Sequence, residues 1–347
     1  MRTQIESSTE SAVESPLSQI RTNNLELRRL VEYARQVATT PYSVLIKGET
    51  GTGKEVFARG IHVASKRRGS FVPINCSAVP ETMFEAELFG ARRGAYTGLV
   101  DERPGLFVVA DKGTLFLDEV AELPTGTQAK LLRVLEDGLI RPIGGTEWVR
   151  VDVRVVAATH KSLEPLVERG LFRSDLYFRL SATAIRLPPI HERPEDLPQL
   201  INEALAEACR MQQVEPRELD SEALDVLLRY AWPGNIRELK NTLAAAVLRS
   251  TNGVVRVDDL PAAVRSQQAA TSFEDYCKMP FFDALERFEE MYIAELLRRS
   301  EGNLSRAARM AGLSRGTVRN KARRYHLLEG GEDGVTPKRS RVRRPPR

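Results

Sequence analysis

The stretch Tyr42–Ala64 reads YSVLIKGETGTGKEVFARGIHVA, and it decides the fold class. It opens with Val44–Ile46, a short apolar run typical of a buried strand, and it closes with apolar residues at helical spacing. Between them lies a loop with three glycines before Lys54, at positions 48, 51 and 53. A strand, a glycine-rich loop and a helix in this order predict a phosphate-binding loop in an α/β fold. In such a loop, backbone N–H groups, the helix dipole and the lysine bind phosphate oxygens.

A second apolar run, GTLFLDEVAELP at Gly113–Pro124, delivers two carboxylates at its end, Asp118 and Glu119. Nucleotide hydrolysis uses such a pair, because one carboxylate holds Mg²⁺ and the other orients and deprotonates the attacking water. An exposed Asp-Glu pair at a strand end is the alternative interpretation. The phosphate-binding loop upstream favours catalysis, with Asp118 as the Mg²⁺ ligand and Glu119 as the base.

Composition and charge limit the number of domains and the classes of protein to which the chain can belong. The chain has 347 residues, enough for two or three domains, and 42% hydrophobic and 28% charged residues, as in globular proteins. No apolar run approaches membrane-spanning length, and the three scattered cysteines predict no disulfide framework or metal cluster, which favours a cytoplasmic protein. Residues 301–347 carry a net charge of +9 and residues 1–300 a net charge of −5. This asymmetry predicts a C-terminal region that binds a polyanion, with a merely solvated tail as the alternative.

Several further motifs occur in an order that resembles one family. They are GETGTGKE, FVPINCSA, ELFGARRGAYTGL, GTLFLDEV, AKLLRVLEDG, VDVRVVAATH, FRSDLYFRL, RLPPIHERPEDLP and WPGNIRELKN. Together they resemble the AAA+ ATPases that activate bacterial transcription with the alternative sigma factor sigma-54, the bacterial enhancer-binding proteins. The resemblance covers residues 18–265 and resumes over residues 281–327. It implies ATP and Mg²⁺ as cofactors.

The resemblance also implies an architecture. We expect an AAA+ P-loop NTPase core, in which helices flank a parallel sheet, a helical lid and an all-α helix-turn-helix domain. The expected divisions are a disordered lead-in at 1–17, the α/β nucleotide-binding subdomain at 18–190, the lid at 191–265, a linker at 266–280, the Fis-like helix-turn-helix domain at 281–327 and a basic disordered tail at 328–347. The 17 leading residues leave no room for a sensor domain, so we expect regulation through a partner, expression level or promoter architecture.

The nucleotide pocket implied by the resemblance comprises Gly48, Glu49, Thr50, Gly51, Thr52, Gly53, Lys54, Glu55, Arg237 and His160. Arg237 matches the family's second sensor, and an ion pair with Glu238 is its alternative role. Glu55 follows the loop lysine in the family as it does here. His160 stands where the family usually has the asparagine of its first sensor, and His191 replaces an arginine.

Three other residues match catalytic positions of the family. Asn75 matches the asparagine that holds the catalytic glutamate until nucleotide geometry changes, and an Asx turn is its alternative role. Arg173 and Arg179 match the paired arginine fingers, which place a planar, permanently charged group at a neighbouring subunit's γ-phosphate. An ion pair with Asp175 is the alternative for these arginines.

The motif ELFGARRGAYTGL, at Glu87–Leu99, resembles the family loop G-A-F-T-G-A that grips sigma-54. The expected sigma-54 contact residues are Gly94, Ala95, Tyr96, Thr97, Gly98 and Leu99. Tyr96 keeps an aromatic ring, whereas Leu99 replaces a small alanine beside Gly98. An internal turn with a buried tyrosine is the alternative, but flanking glycines and the neighbouring arginine pair favour exposure.

The segment EGNLSRAARMAGLSRGTVRNKARRYHL, at Glu301–Leu327, predicts a helix-turn-helix. Gly312 makes the turn, and Ser314 caps the second helix. The expected DNA-binding residues are Ser314, Arg315, Thr317, Arg319, Asn320, Lys321 and Arg323. The segment resembles the Fis-like module of the family, and a generic helical hairpin is the alternative.

The sequence therefore predicts a sigma-54-dependent transcriptional activator, an ATPase that works as a hexameric ring. Its expected partners are the sigma-54 RNA polymerase, upstream enhancer DNA and further copies of the chain, with no membrane. Mixed rings with a paralogue and control by a separate regulatory protein stay open. One rival is a regulator of the same fold that no longer contacts sigma-54, which Leu99 favours. A second rival is a DNA-binding protein with a vestigial ATPase, against which the intact nucleotide-binding and finger residues argue.

Overall fold

The computed structural model describes residues 16–94, 102–266, 277, 279–300, 302–325 and 327. The chain forms two compact units, which divide between Ser266 and Gln267. None of the described helices is long and apolar enough to cross a membrane.

Five parallel strands form the central sheet of the first unit. The strands of this unit are β1 (Val44–Lys47), β2 (Phe71–Asn75), β3 (Gly90–Ala91), β4 (Arg103–Pro104), β5 (Thr114–Asp118), β6 (Leu139–Ile140), β7 (Val149–Arg150), β8 (Arg154–Thr159), β9 (Ala184–Arg186), β10 (Glu218–Leu219) and β11 (Val254–Val255). The central sheet has the order β2-β5-β8-β1-β9, and all its pairings are parallel. The other strands form three short pairs, β3 with β4, β6 with β7 and β10 with β11.

Helices cover both faces of the central sheet. They are α1 (Pro16–Gln19), α2 (Leu25–Ala38), α3 (Lys54–Ala64), α4 (Phe84–Phe89), α5 (Leu106–Val109), α6 (Thr125–Asp137), α7 (Glu164–Glu168) and α8 (Ser174–Leu180). Successive strand residues point to opposite faces, so Leu45 packs in one core with α4, α6 and α8, while Ile46 packs in a second core with α2 and α3. Leu17 of α1 is buried in the second core, so the predicted boundary at residue 18 falls inside a packed helix. The expected α/β fold with a parallel sheet is confirmed.

The carboxyl ends of the central strands bring polar residues together. Asn75, the last residue of β2, lies in register with Asp118, the last residue of β5. Thr159 ends β8 in register with Lys47, which ends β1. Ligands of parallel α/β sheets bind at this edge, so the fold places the predicted loop and carboxylates on the expected side of the sheet.

A helical lid follows the sheet within the same unit. It contains α9 (Leu197–Met211), α10 (Ser221–Arg229), α11 (Asn235–Arg249) and α12 (Ala262–Ser266), with 3₁₀ turns at Ile190–Glu192, Pro194–Asp196 and Val257–Asp259. The buried sides of these helices form a third core around the fully buried Trp232. Asp196, also buried, accepts hydrogen bonds from Thr22 Oγ1 at 2.5 Å and from the N–H of Asn23 at 2.6 Å, which fixes the segment before α2 to the lid.

The second unit contains three described helices, α13 (Phe281–Arg299), α14 (Leu304–Ala311) and α15 (Arg315–Arg324). Their common core consists of Ile293, Leu296, Leu297, Ala307, Ala308, Val318 and Ala322. Gly312 has φ 64° and makes the turn between α14 and α15, as expected from the sequence. The expected all-α helix-turn-helix is confirmed.

Candidate nucleotide-binding and hydrolysis site

The glycine-rich loop joins β1 to α3 at the edge of the sheet. Gly53 has φ 102°, in the left-handed region that favours glycine, and α3 begins at the next residue. Gly51 has φ 81°, and a Cβ placed there would lie 2.3 Å from the carbonyl oxygen of Gly234 in the lid. Backbone conformation and the close approach of the lid therefore both require glycine at position 51.

Two other loop residues are held by local contacts. Thr52 donates a hydrogen bond from Oγ1 to the carbonyl oxygen of Glu49 at 2.9 Å. Glu55, the residue after the loop lysine, pairs with Arg59 at 2.8 Å, one turn along α3 at its exposed side. The contact of Thr52 lies within the loop, whereas the pair of Glu55 lies within α3.

Lys54 is the buried cation of the loop. Its Nζ donates to the carbonyl oxygens of Gly48 at 3.0 Å and Glu49 at 3.2 Å, and lies 3.8 Å from Oε1 of Glu119. Burial lowers the pKa of Lys54, and the negative charges of Glu119 and Asp118 oppose that effect. A desolvated ammonium with such partners is suited to bind phosphate oxygens, which would offset the cost of its burial.

Asp118 and Glu119 lie beside this cation. Burial, and then the neighbouring Glu119, raise the pKa of Asp118.

Glu119 has φ 55° and ψ 51°, a left-handed conformation that is uncommon for a residue with a side chain. Its Oε2 accepts hydrogen bonds from Nδ1–H of His160 at 2.7 Å and from the backbone N–H of His160 at 3.3 Å. Because an ionised carboxylate only accepts hydrogen bonds, this contact requires a proton on Nδ1 of His160.

The donor set at this edge fits Mg²⁺ that is shared with a nucleotide. Within the part of the chain that the structure describes, no three His, Cys, Asp or Glu side chains lie close enough to hold a metal by themselves. Nucleotide-dependent enzymes bind Mg²⁺ through one or two carboxylates, phosphate oxygens and water. Asp118 suits that role, because a cation beside it would offset the burial that raises its pKa.

Asn75 lies next to Asp118 in the sheet, but its side chain makes a local contact. Its Oδ1 accepts hydrogen bonds from the N–H of Ser77 at 2.9 Å and from Oγ of Ser77 at 2.8 Å. This turn is the alternative that the sequence left open for Asn75. Among the described residues, His160 rather than Asn75 makes the side-chain hydrogen bond to Glu119.

The two predicted arginine fingers lie at the start and near the end of α8. Arg173 pairs with Asp175 at 2.7 Å, as the alternative interpretation expected, and this contact raises the pKa of Arg173. Arg179 donates from Nη2 to the carbonyl oxygen of Leu135 at 2.8 Å. Both side chains are exposed, and no hydrogen bond or ion pair among the described residues joins either one to Lys54 or to the carboxylates at the strand ends. Arg173 and Arg179 thus make their described contacts away from the chain's own nucleotide loop.

Asn235 is a residue of this site that the sequence analysis missed. It is fully buried at the start of α11, with φ 53°. Its Nδ2 donates to Oε2 of Glu49 at 3.0 Å and to the carbonyl oxygen of Thr50 at 3.2 Å, and its Oδ1 accepts from the N–H of Ile190 at 2.8 Å. Asn235 therefore joins the lid to the nucleotide loop. The Gly-Asn pair at the start of α11 was the available signal, because asparagine is one of the few residues that favour a left-handed backbone.

Arg237, the predicted second sensor, lies near the start of α11 beside the loop. A Cβ at Gly51 would lie 3.1 Å from Cβ of Arg237, and the charge of Arg237 contributes to the lowered pKa of Lys54. Glu238, its alternative partner, instead accepts hydrogen bonds from the hydroxyl of Tyr230 at 2.9 Å and from the N–H of Gly234 at 2.7 Å. The exposed side chain of Arg237 is thus near the position where phosphates would bind.

Of the predicted sigma-54 loop, only Gly94 lies within the described residues; Ala95, Tyr96, Thr97, Gly98 and Leu99 lie outside them. The chain on either side of this segment is fixed. The N–H of Arg92 donates to the carbonyl oxygen of Ile143 at 3.0 Å, and the N–H of Ile143 donates to the carbonyl oxygen of Gly90 at 2.9 Å. Arg92 also pairs with Glu102 at 2.8 Å, so the two ends of the segment are joined.

In the second unit, the seven predicted DNA contacts lie on α15 or at its start. Ser314 caps the helix by accepting the N–H of Thr317 at 3.0 Å. Three basic or amide side chains of the set are exposed: Arg315, Asn320 and Arg323. Thr317, Arg319 and Lys321 are half buried, and Lys321 also pairs with Glu289 of α13. That ion pair neutralises one of the expected DNA-binding cations within the unit.

Comparison with known proteins places these features in a family. Residues 20–186 match the model of the sigma-54 interaction domain, residues 191–275 that of the AAA+ ATPase lid domain, and residues 284–325 that of the Fis family of bacterial regulatory proteins. Transcriptional regulatory protein GlrR of Escherichia coli K12 is 41% identical over 305 residues, which cover 88% of this chain and 66% of GlrR. Regulatory protein AtoC of the same strain is 39% identical over 314 residues, with 89% of this chain and 68% of AtoC covered.

Solved structures agree with this placement. NtrX from Brucella abortus in complex with ADP has a TM-score of 0.67 and 32% identity, over 90% of this chain and 70% of NtrX. The ATP complex of the same protein has a TM-score of 0.65 and 33% identity, over 88% of this chain and 69% of NtrX. The nucleotide loop, the lid and the C-terminal helix-turn-helix occur here in the order of the three matched models. The chain therefore belongs to the family of sigma-54-dependent transcriptional activators, the AAA+ proteins with a sigma-54 interaction domain and a Fis-type DNA-binding domain.

Proposed function

We propose that this chain binds and hydrolyses ATP at the loop between β1 and α3. The observation that supports the proposal is the cluster of Lys54, Asp118 and Glu119 at the carboxyl edge of the sheet, with Lys54 Nζ 3.8 Å from Glu119 Oε1. The loop N–H groups and Lys54 bind the phosphates, and Glu119 orients the attacking water and accepts its proton. Asp118 holds Mg²⁺, which when bound neutralises developing phosphate charge.

The lid and the sensors complete this site in our proposal. Asn235 holds the lid against the loop, and Arg237 contacts the phosphates from the lid side. His160 holds the carboxylate of Glu119 in place through its 2.7 Å hydrogen bond. Asn75 acts only after its oxygen leaves Ser77, since that oxygen is engaged in the turn.

We further propose that the active form is a hexameric ring in the cytoplasm. Arg173 and Arg179 then leave Asp175 and the carbonyl of Leu135 to reach the γ-phosphate bound by a neighbouring subunit. The separation of these arginines from the chain's own loop supports this role. The segment with Tyr96 engages sigma-54 RNA polymerase, and α15 binds upstream enhancer DNA, which keeps the ring near the promoter.

Reconstituted transcription from a sigma-54 promoter tests this function, on melted and unmelted templates and with and without ATP. We expect open-complex formation on the unmelted template only with ATP. Tyr96→Ala should keep ATP hydrolysis near normal and lose activation, whereas Tyr96→Phe should retain both. Full activation by Tyr96→Ala would show that this segment is not the polymerase contact.

Leu99 favours a second candidate function, a DNA-binding AAA+ regulator that no longer contacts sigma-54. A branched side chain replaces the family's small residue beside Gly98. Under this alternative, the parent protein binds DNA and hydrolyses ATP but does not activate the sigma-54 promoter. Activation gained by Leu99→Ala would identify Leu99 as the cause.

A further inference from the structure

Gln128 is a fully buried polar residue in the first turns of α6, and within the described part of the chain its side chain is hydrogen-bonded to backbone groups. Its Nε2 donates to the carbonyl oxygen of Leu123 at 2.8 Å and to that of Leu171 at 3.1 Å. Its Oε1 accepts the N–H of Arg173 at 2.9 Å. One side chain thus joins two segments that lie 45 residues apart in the chain.

Each of these segments carries a part of the proposed chemistry. Leu123 is the buried residue that ends the short 3₁₀ turn begun by Glu119, whose carbonyl oxygen accepts the N–H of Glu122 at 3.0 Å. Arg173 directly precedes α8 and carries the predicted finger. Gln128 therefore fixes the backbone of the finger against the turn that carries the catalytic carboxylate.

The same helix also contacts the second arginine. The carbonyl oxygen of Leu135, near the C-terminal end of α6, accepts the hydrogen bond from Arg179. Among the described residues, the guanidinium of Arg173 pairs with the exposed Asp175, whereas its backbone N–H is bonded to the fully buried Gln128. A long side chain reaches a defined point only if its backbone is fixed.

We propose that Gln128 is the positioning residue for Arg173, and that it keeps this arginine in the register needed to reach a neighbouring subunit's nucleotide. This inference rests on the proposed function, because it assigns Arg173 to a site in the neighbour. Gln128 is fully buried and acts through the backbone of Arg173. Its loss leaves the chain's own pocket intact and weakens the arginine that the chain presents to the next subunit.

Subunit mixing tests the proposal with Gln128→Met, which keeps the length of the side chain and removes its hydrogen bonds. Alone, this variant should hydrolyse ATP about 10- to 100-fold more slowly, since small displacements of a catalytic group have effects of this size. Its affinity for ATP should change less than about twofold. Mixed with Lys54→Ala, which lacks the phosphate-binding lysine but presents a normal Arg173, it should regain activity, because its pockets then face intact fingers.

Two controls separate this inference from a general loss of structure. Val134→Ala, a buried substitution in the same helix, should lower the melting temperature while keeping hydrolysis near normal. Arg173→Ala mixed with Lys54→Ala is the reference pair and should also recover. Recovery in the reference pair without recovery of Gln128→Met would overturn the positioning role. Failure of the reference pair would refute the finger role itself, and with it this inference.

Hydrogen exchange on the unaltered protein gives an independent test if Gln128→Met does not fold. The N–H of Arg173 should exchange slowly although its side chain is exposed, because Oε1 of Gln128 accepts it in a buried position. The N–H of Ser174, which follows it at the exposed start of α8, should exchange much faster. Equal, fast exchange at both amides would contradict the proposal.

Discussion

At the scale of single residues, Lys54 and Glu119 form an ion pair but have different proposed tasks. Lys54 is a desolvated cation directed towards loop carbonyls and carboxylates, so its removal acts on binding. Glu119 is held by His160 on one oxygen and lies near Lys54 on the other, so its removal acts on proton transfer. Replacement of Lys54 should therefore change mainly the Kd for ATP, and replacement of Glu119 should change mainly kcat.

We expect Lys54→Ala to weaken ATP binding about 10- to 100-fold, because hydrogen bonds to charged groups contribute about 1.5–3 kcal/mol. Glu119→Gln should bind ATP within about threefold of the parent while kcat falls about 10²- to 10⁴-fold, the size of a lost general base. Equilibrium binding and steady-state hydrolysis distinguish the two.

Glu122→Gln is the matched control for these variants. Its carboxylate lies in the turn that follows Glu119 but pairs with Lys161 at 2.5 Å. Hydrolysis should stay near normal. Near-normal hydrolysis in both Lys54→Ala and Glu119→Gln would contradict the assignment of the site.

Sequence alone predicts the parts of the site that are formed by residues close together in the chain. Glycine spacing before Lys54 and a strand that ends at Asp118 are local features, and the structure brings them together because parallel strands share a carboxyl edge. The contact between His160 and Glu119 spans 41 residues, and that between Asn235 and Glu49 spans 186. Such contacts depend on tertiary packing, which the spacing of residues along the sequence does not predict. The ion pair of Lys321 with Glu289 could not be predicted for the same reason, since Glu289 lies on another helix.

At the scale of elements, α11 and the nucleotide loop form a junction. Asn235 and the N–H of Ile236, which donates to the carbonyl oxygen of Gly51 at 3.0 Å, hold the two together. Because the loop is our proposed phosphate-binding site and the lid carries Arg237, this junction is where nucleotide binding would be transmitted to the lid.

Asn235→Asp should loosen this junction. Aspartate keeps the acceptor for Ile190 but loses both donors, and it places a second carboxylate near Glu49, whose oxygen now lies 3.0 Å from Nδ2. We expect faster hydrogen exchange at the N–H of Ile236 and a loss of stability of about 1–3 kcal/mol. Asn241→Asp, at an exposed position of the same helix, is the control. Unchanged exchange at Ile236 in Asn235→Asp would mean that the side chain does not hold the lid.

A second element contact links β1, α7 and α8. The carboxylate of Glu164 accepts hydrogen bonds from Nζ of Lys47 at 2.6 Å and from the hydroxyl of Tyr177 at 2.9 Å. The bond from Lys47, and then the smaller backbone and Tyr177 contributions, lower the pKa of Glu164 to about 2. The strand that leads to the nucleotide loop is thereby tied to the helix that carries the arginines.

Glu164→Gln should lower stability at pH 7 by less than about 1 kcal/mol, because solvent reaches both partners of the ion pair. The folded-state pKa is depressed, so the contribution of Glu164 is complete above its ordinary pKa near 4.5 and declines as the pH falls towards 2. The difference in denaturant midpoint between parent and variant should therefore be largest at pH 7 and smaller at pH 3. Glu168→Gln, at the exposed end of α7, should show no such trend. A difference in denaturant midpoint between parent and Glu164→Gln that increased as the pH fell would refute this role of Glu164.

At the scale of the whole molecule, the chain consists of two compact units with separate cores. The proposed hydrolysis site belongs wholly to the first unit, and the proposed DNA-binding helix belongs wholly to the second. Substitutions in the first unit should therefore change ATP hydrolysis without changing DNA binding, and substitutions in the second unit should do the reverse.

Arg319→Ala on α15 should weaken binding to a specific DNA site about 10- to 100-fold, the cost of one lost base contact, and weaken random DNA less. ATP hydrolysis without DNA should be unchanged. Arg298→Ala removes the same charge from α13, where Arg298 pairs with Glu295 at 2.6 Å, and should change the two affinities little. Equal losses of affinity on specific and random DNA in Arg319→Ala would mean a phosphate contact instead of base recognition. Glu119→Gln should give the converse result, with DNA binding intact.

The left-handed backbone of Glu119 has an evolutionary consequence. That conformation costs a residue with a side chain about 1 kcal/mol or more, whereas glycine and asparagine adopt it readily. Selection for stability alone would therefore replace glutamate at this position, and random mutation followed by a screen for thermal tolerance should enrich glycine or asparagine there. A screen for transcription should return glutamate. Enrichment of different residues at position 119 by the two screens would show that thermal tolerance and transcription place opposite demands on this position.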